Sequence, residues 1–146
     1  MPPETPPRNS LRLDVVTPER HLVAESVDEV VLPGSQGSFG VLPGHAPLLT
    51  DLDIGPLVYR RGQERRALAV AGGFVEVLPD RVTVLAEVAE AAEDIDLARA
   101  EKAKERAEQR LKGGETETDF ERAQKAMRKA LLREEVARTH HRREGP

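Results

Sequence analysis

Few side chains in this sequence could do chemistry. There is no cysteine, which removes thiol nucleophiles, thiolate metal sites and disulfides. His45 has the most distinctive setting of the histidines. It lies in the run Gly34-Ser-Gln-Gly37-Ser-Phe-Gly40-Val-Leu-Pro43-Gly44-His45-Ala46-Pro47-Leu-Leu. A catalytic or metal-binding histidine needs partners, and no second histidine or ligand spacing lies near it. No Ser/His/Asp arrangement offers a nucleophile. What remains is recognition. Glycine reaches backbone angles closed to other residues and proline fixes its own, so a run rich in both reads as a rigid recognition loop. Phe39 is a large apolar side chain among glycines and hard to bury within its own loop, which points to a contact. Further on, Asp96 precedes Arg99 by three residues. At a helix start the acid complements the positive helix end and the arginine pairs on the surface. From Phe120 onward eight Lys/Arg face four acids. That excess is either a solvated helix face or a docking surface for an acidic partner.

Two kinds of element must position these groups. Leu11 to about Glu90 reads as short strands. Leu11, Leu13 and Val15 alternate with Arg12, Asp14 and Val16, the pattern of a half-buried strand. Val27 to Leu32 ends at Pro33-Gly34, a turn signal. Ile54–Arg61, Arg66–Val70, Phe74–Leu78 and Val82–Ala86 follow, with breaks at Arg61-Gly62, Gly72-Gly73 and Pro79-Asp80. Many short strands with Gly/Pro turns predict a β-sandwich or flattened barrel. Ile95–Lys112 holds no proline or glycine and predicts a helix capped by Asp94 and ended by Gly113-Gly114, with Ala100, Ala103, Ala107 and Leu111 on one face. Thr118-Asp-Phe-Glu121 fits a capping box opening a second helix, with Phe120, Ala123, Met127, Ala130 and Leu131 as its stripe. At 1.5 Å per residue the helices span about 27 and 33 Å. The first stripe is mostly alanine, worth about 0.8 kcal/mol per methyl, so the hairpin is weakly held and suited to detach.

The expected organisation is a proline-rich disordered tail over residues 1–10, an all-β sandwich over 11–93, an antiparallel two-helix hairpin over 94–139, and a disordered tail over 140–146. The 146 residues suit one domain, or a small domain with an appendage, and the net charge of −4 is too mild for a nucleic-acid binder. Phe39, Tyr59, Phe74 and Phe120 are the only aromatics, so the core is aliphatic and base stacking is not expected. No apolar run is long enough to span a bilayer and the first nine residues lack the apolar core of a signal peptide, so membrane association must pass through another protein.

Four stretches in order resemble one family, the epsilon subunits of the bacterial rotary proton-translocating (F-type) ATP synthase. They are Leu13-Asp14-Val15-Val16-Thr17-Pro18, the Gly34–Leu49 loop, Ala69-Val70-Ala71-Gly72-Gly73-Phe74-Val75-Glu76-Val77, and Val82-Thr83-Val84-Leu85-Ala86-Glu87 leading to Ile95-Asp96-Leu97-Ala98-Arg99-Ala100. The similarity runs from about Leu11 to Arg138. It implies a sandwich of about ten strands followed by two helices, in a non-catalytic rotor subunit of the central stalk at the cytoplasmic face of the inner membrane. The implied partners are the gamma subunit, the membrane c-ring and the alpha/beta catalytic head.

By this resemblance Ser35, Gln36, Ser38 and Phe39 touch the c-ring, and His45, Ala46 and Leu49 face gamma. The helices stay folded on the sandwich or extend along gamma and block ATP hydrolysis, with Arg122, Arg128 and Arg133 against an acidic segment of beta. No cofactor is required. In some relatives the Asp96/Arg99 motif helps hold ATP as a regulatory ligand, with Arg106, Arg128 and Arg133 supplying further cations. There is no Gly-rich phosphate loop, so such a site would lie on the surface. The rival from another class is a free-standing β-sandwich binding module with a helical tail; co-purification with gamma separates the two. A small hydrolase is remote.

Overall fold

The computed structural model describes residues 9–113 and 116–144, with side chains to residue 139. The tail expected at residues 1–10 falls largely outside this range. By its internal packing the chain divides between Glu90 and Ala91 into two compact units.

The first unit holds eight strands: β1 (Leu11–Val16), β2 (His21–Val27), β3 (Glu29–Gly34), β4 (Gly37–Val41), β5 (Leu48–Asp51), β6 (Ile54–Arg61), β7 (Glu64–Leu78) and β8 (Arg81–Ala91). They join in the order β2-β1-β8-β7-β6-β3-β4, with β5 also on β7. The inward set of the alternating residues makes an aliphatic core, including Leu11, Leu13, Val15, Val30, Leu32, Leu57, Val70, Val75, Val77, Val82 and Val84. This is the sandwich expected, in eight strands.

One strand of the difference in count has a local cause. Gly72-Gly73 is a bend inside one continuous strand and not a break. Both glycines have positive φ, 78° and 120°, open to glycine but strained for other residues. The half of β7 before the bend pairs with β6 and the half after it pairs with β5, so one strand serves two layers. At Gly73 a Cβ would collide with the Leu85 carbonyl of β8. The other departure is the β1–β8 pair, which is parallel, from Arg12 opposite Arg81 to Val16 opposite Leu85.

The second unit begins with a 3-10 turn, Ala92–Asp94, followed by α1 (Leu97–Gly113) and α2 (Glu117–Glu144). The cap of α1 is Asp96, not Asp94: its Oδ1 accepts the Arg99 backbone N–H at 3.1 Å. The cap of α2 is Thr116, not Thr118: its Oγ1 accepts the Asp119 N–H at 3.1 Å. The helix runs 28 residues, about 42 Å. It includes residues 140–144, where a disordered tail was expected, because the first glycine and proline after α2 begins are Gly145-Pro146. The buried residues also differ from the stripe drawn from sequence. Ala123, Ala130, Leu132, Val136 and Ala137 are buried, whereas Phe120 and Leu131 are exposed. Ala123, Ala130 and Ala137 recur every seven residues, as do Ala100 and Ala107 on α1, a spacing that suits closely packed helices.

Candidate functional site

The Gly34–Leu49 run is not one irregular loop. Its first half is a β-hairpin, with β3 and β4 closed by the pair Gly34/Gly37 around a two-residue turn, Ser35–Gln36. The turn falls later than the Pro33-Gly34 signal. Pro33 is tolerated inside β3 because pairing with β6 stops at Val31, so its missing N–H costs no ladder bond there. Gly37, just after the turn, has φ 125°, a conformation open to glycine. Ser35 donates its hydroxyl to Asp51 Oδ1 at 2.5 Å, and its N–H to the Asp51 carbonyl at 3.1 Å.

Of the residues expected here, Ser35, Gln36 and Ser38 are exposed. Phe39 is half-buried and packs on the sandwich core. A Cβ on Gly34 would lie 2.9 Å from its ring, so Gly34 makes room for it. The second half is a turn held from both sides. The Gly44 N–H reaches the Pro79 carbonyl at 2.8 Å and the His45 N–H the Leu42 carbonyl at 3.1 Å. The His45 ring is partly covered, with Nδ1 2.6 Å from the Ala46 carbonyl. Ala46 and Leu49 are exposed.

Leu49 belongs to a larger apolar surface that the sequence reading missed. Leu49 is 72% exposed, Phe74 59% and Leu85 56%. Leu49 stands opposite Glu76 and Asp51 opposite Phe74, so Leu49 and Phe74 are diagonal neighbours on one outward face. Gly73, pressed on the Leu85 backbone, carries no side chain between β7 and β8. The signal was present in the alternation of Phe74-Val75-Glu76-Val77. With Val75 and Val77 inward, Phe74 has to face out.

In the second unit the five residues expected around a nucleotide are spread along the helices. The Asp96 side chain is engaged in its cap and Arg99 is exposed one turn later. Arg106 lies ten positions beyond Asp96, about 15 Å along the axis. It lines an open groove of about 570 Å³ with Gln109, Arg110 and Gly113 of α1 and Asp119, Arg122 and Ala123 of α2. Sequence reasoning named Arg106 and Arg122 for different partners and missed Arg110. Spacing alone signals α1's share, because positions 106, 109, 110 and 113 fall on one helix face. Arg128 is exposed and Arg133 half-buried on α2.

At the β6–β7 turn Arg66 bonds Glu64 at 2.9 Å, and this hydrogen bond, followed by the Glu64 charge, raises the guanidinium above its ordinary pKa. No group of three or more metal-ligating side chains occurs among the described residues. The arrangement can bind a protein surface or an anion.

Known proteins match both units. Residues 10–92 match the model of the ATP synthase delta/epsilon chain β-sandwich domain, and residues 93–138 that of the delta/epsilon chain long α-helix domain. The ATP synthase epsilon chain of Syntrophobacter fumaroxidans is 50% identical over 127 residues, 87% of this chain and 95% of that one. That of Nitratidesulfovibrio vulgaris strain DP4 is 51% identical over 127 residues, with the same coverage. Among solved structures, a chain of the Euglena gracilis mitochondrial ATP synthase superposes with a TM-score of 0.78 over 91% of this chain and 84% of its own, at 23% identity, which speaks for the fold. With both domain models satisfied in order and half the residues identical to named epsilon chains, this chain belongs to the epsilon-subunit family of the F-type ATP synthase.

Proposed function

We propose that this chain is a rotor subunit of the ATP synthase central stalk, that its sandwich joins the gamma subunit to the c-ring, and that its helices restrain ATP hydrolysis. The observation that carries the reading is the outward apolar face of Leu49, Phe74 and Leu85. Large apolar side chains gathered on one sheet face mark a surface that a partner covers. The partner is gamma. The c-ring contact falls on the β3–β4 hairpin, whose Ser35, Gln36 and Ser38 present small polar groups suited to polar loops. The relatives support this setting: a Tetrahymena thermophila chain of like fold (TM-score 0.61, 16% identity) comes from a central stalk and c-ring structure. No helix among the described residues is long and apolar enough to cross a membrane. Attachment to the cytoplasmic face of the membrane is therefore through other subunits.

For the helical unit we propose docking of Arg122, Arg128 and Arg133 on an acidic segment of beta, and ATP as a regulatory ligand, its phosphates on the guanidiniums of Arg99 and Arg106. Charge-assisted bonds from arginine suit phosphate oxygens. The chain itself catalyses nothing in this reading. The deciding experiment is ATPase activity of the reconstituted catalytic head with the full chain, with residues 1–93 alone, and without either. The full chain lowers hydrolysis, and the fragment binds gamma without lowering it. Equal inhibition by the fragment would assign the restraint to the sandwich instead.

A further inference from the structure

Glu134 is the one charged residue buried among the described residues, at 8% exposure. It sits on α2 between Ala130 and Ala137, both of them buried. One of its oxygens, Oε1, meets the Arg138 guanidinium at 2.7 Å, one turn along the same helix. The other, Oε2, has no hydrogen-bond partner; across the helix seam it faces Lys104 Nζ of α1, at 3.8 Å. Arg138 in turn reaches Glu101 of α1 at 3.3 Å. Glu101, Arg138, Glu134 and Lys104 thus form a chain of alternating charge that crosses between the helices twice.

The two crossings differ from the rest of the hairpin. Elsewhere the buried positions are alanine, valine and leucine, which gain by leaving water. A carboxylate loses hydration on burial, and recovers it only through well-placed partners. Here one oxygen has such a partner and the other does not. Arg138 is four residues from Glu134 on the same helix, so that pair persists when the helices part. What parting removes is the 3.8 Å contact to Lys104 and the exposed Arg138–Glu101 pair, both weak. What parting restores is water on Oε2.

We infer that Glu134 is a release element: a buried carboxylate that lowers the free-energy cost of separating α1 from α2, so that the closed hairpin is held loosely by construction. Lys104 is its counterweight and keeps the closed state populated. This is a property of the hairpin alone. Its bearing on inhibition rests on the function proposed above.

The test is amide hydrogen exchange on the full chain, followed at Ala103–Arg106 and Ala130–Arg133, with no other subunit present. Glu134→Met keeps the side-chain length and removes the charge. Its partners Lys104 and Arg138 are 33% and 53% exposed, so removing the carboxylate leaves no buried cation behind, and exchange in both segments should slow about tenfold. Lys104→Met, which leaves the carboxylate buried without its cross-helix cation, should speed exchange. The double variant should be as protected as Glu134→Met. Circular dichroism of each variant checks that helix content is retained, and Glu134→Gln supplies a second uncharged variant of nearly native shape, expected to slow exchange as well. Unchanged or faster exchange in both Glu134 variants would overturn the inference, because the carboxylate would then be a net clamp. Slower exchange with unchanged ATPase inhibition would leave the release element standing and count against the proposed role of the hairpin.

Discussion

Ser35 and Asp51 are joined twice, through the serine hydroxyl at 2.5 Å and through its backbone N–H at 3.1 Å. The tip of the β3–β4 hairpin is therefore moored to the end of β5. Asp51→Ala removes the side-chain bond and leaves the backbone bond. The cost should be about 1 kcal/mol, the net worth of one such bond. Amide exchange at Gln36 and Gly37 should accelerate, and the urea midpoint should fall by about 0.3–1 M. No local acceleration would mean that the backbone bond alone holds the tip.

Two glycines with positive φ should respond differently to alanine. At Gly62, φ is 63° and nothing lies within 4 Å of an added Cβ. Gly62→Ala should cost about 1–2 kcal/mol, the backbone term alone. At Gly73 the added Cβ meets the backbone of Leu85 and Ala86. Gly73→Ala should cost more than about 4 kcal/mol, beyond what single substitutions usually do. Urea unfolding of the two variants side by side measures the difference; similar midpoints would disprove the close β7–β8 approach.

The Asp96 cap can be separated from any nucleotide role. Asp96→Asn keeps an acceptor for the Arg99 N–H, whereas Asp96→Ala removes it and should cost the helical unit about 1 kcal/mol. Arg99 is exposed, so Arg99→Ala should leave stability unchanged and weaken ATP binding in calorimetry. Loss of stability in Arg99→Ala would give the arginine a structural role.

The apolar face predicts a sharp effect of charge. Leu49→Asp and Phe74→Asp each place a carboxylate on a surface meant to leave water. Both side chains are exposed, so the isolated chain should unfold at the wild-type urea concentration within experimental error. Binding to gamma should fall at least a hundredfold, since central apolar contacts carry most of an interface's affinity. Wild-type affinity in both variants would move the gamma contact to another face.

Salt and charge test the basic helix. Replacing Arg122, Arg128 and Arg133 together by alanine should relieve inhibition, and wild-type inhibition should weaken as salt rises above the point where screening acts within about 8 Å. Gamma binding should be unaffected. Full inhibition by the triple variant would mean that packing, not charge, holds the inhibited state.

Most of the fold was legible because it follows local periodicity. Ile54–Arg61 was bounded in the sequence and is β6. Gly72-Gly73 was misread because a glycine pair serves equally as a turn between strands or a bend within one, and only the partners on either side decide. Asp94 and Asp96 are two residues apart and both can cap. The 3-10 turn uses Asp94, which leaves Asp96 at the start of α1. The parallel β1–β8 pair brings together residues about seventy positions apart, which no local pattern encodes. Glu134 was invisible for a different reason: in a stretch dominated by Lys, Arg and Glu, nothing marks one acid for burial. Of the residues expected to make contacts, Ser35, Gln36, Ser38, Ala46 and Leu49 are exposed, His45 is partly covered and Phe39 packs on the core.

The parallel pairing of β1 with β8 also bears on mechanical load. The chain passes from the sandwich to the helices through β8, so any pull on the helices enters along that strand. β8 lies inside the sheet with β1 on one side and β7 on the other. A force along its length must shear two ladders at once and cannot peel them open bond by bond. The first strand of the domain thus braces the last, at the point where a turning shaft would transmit its torque.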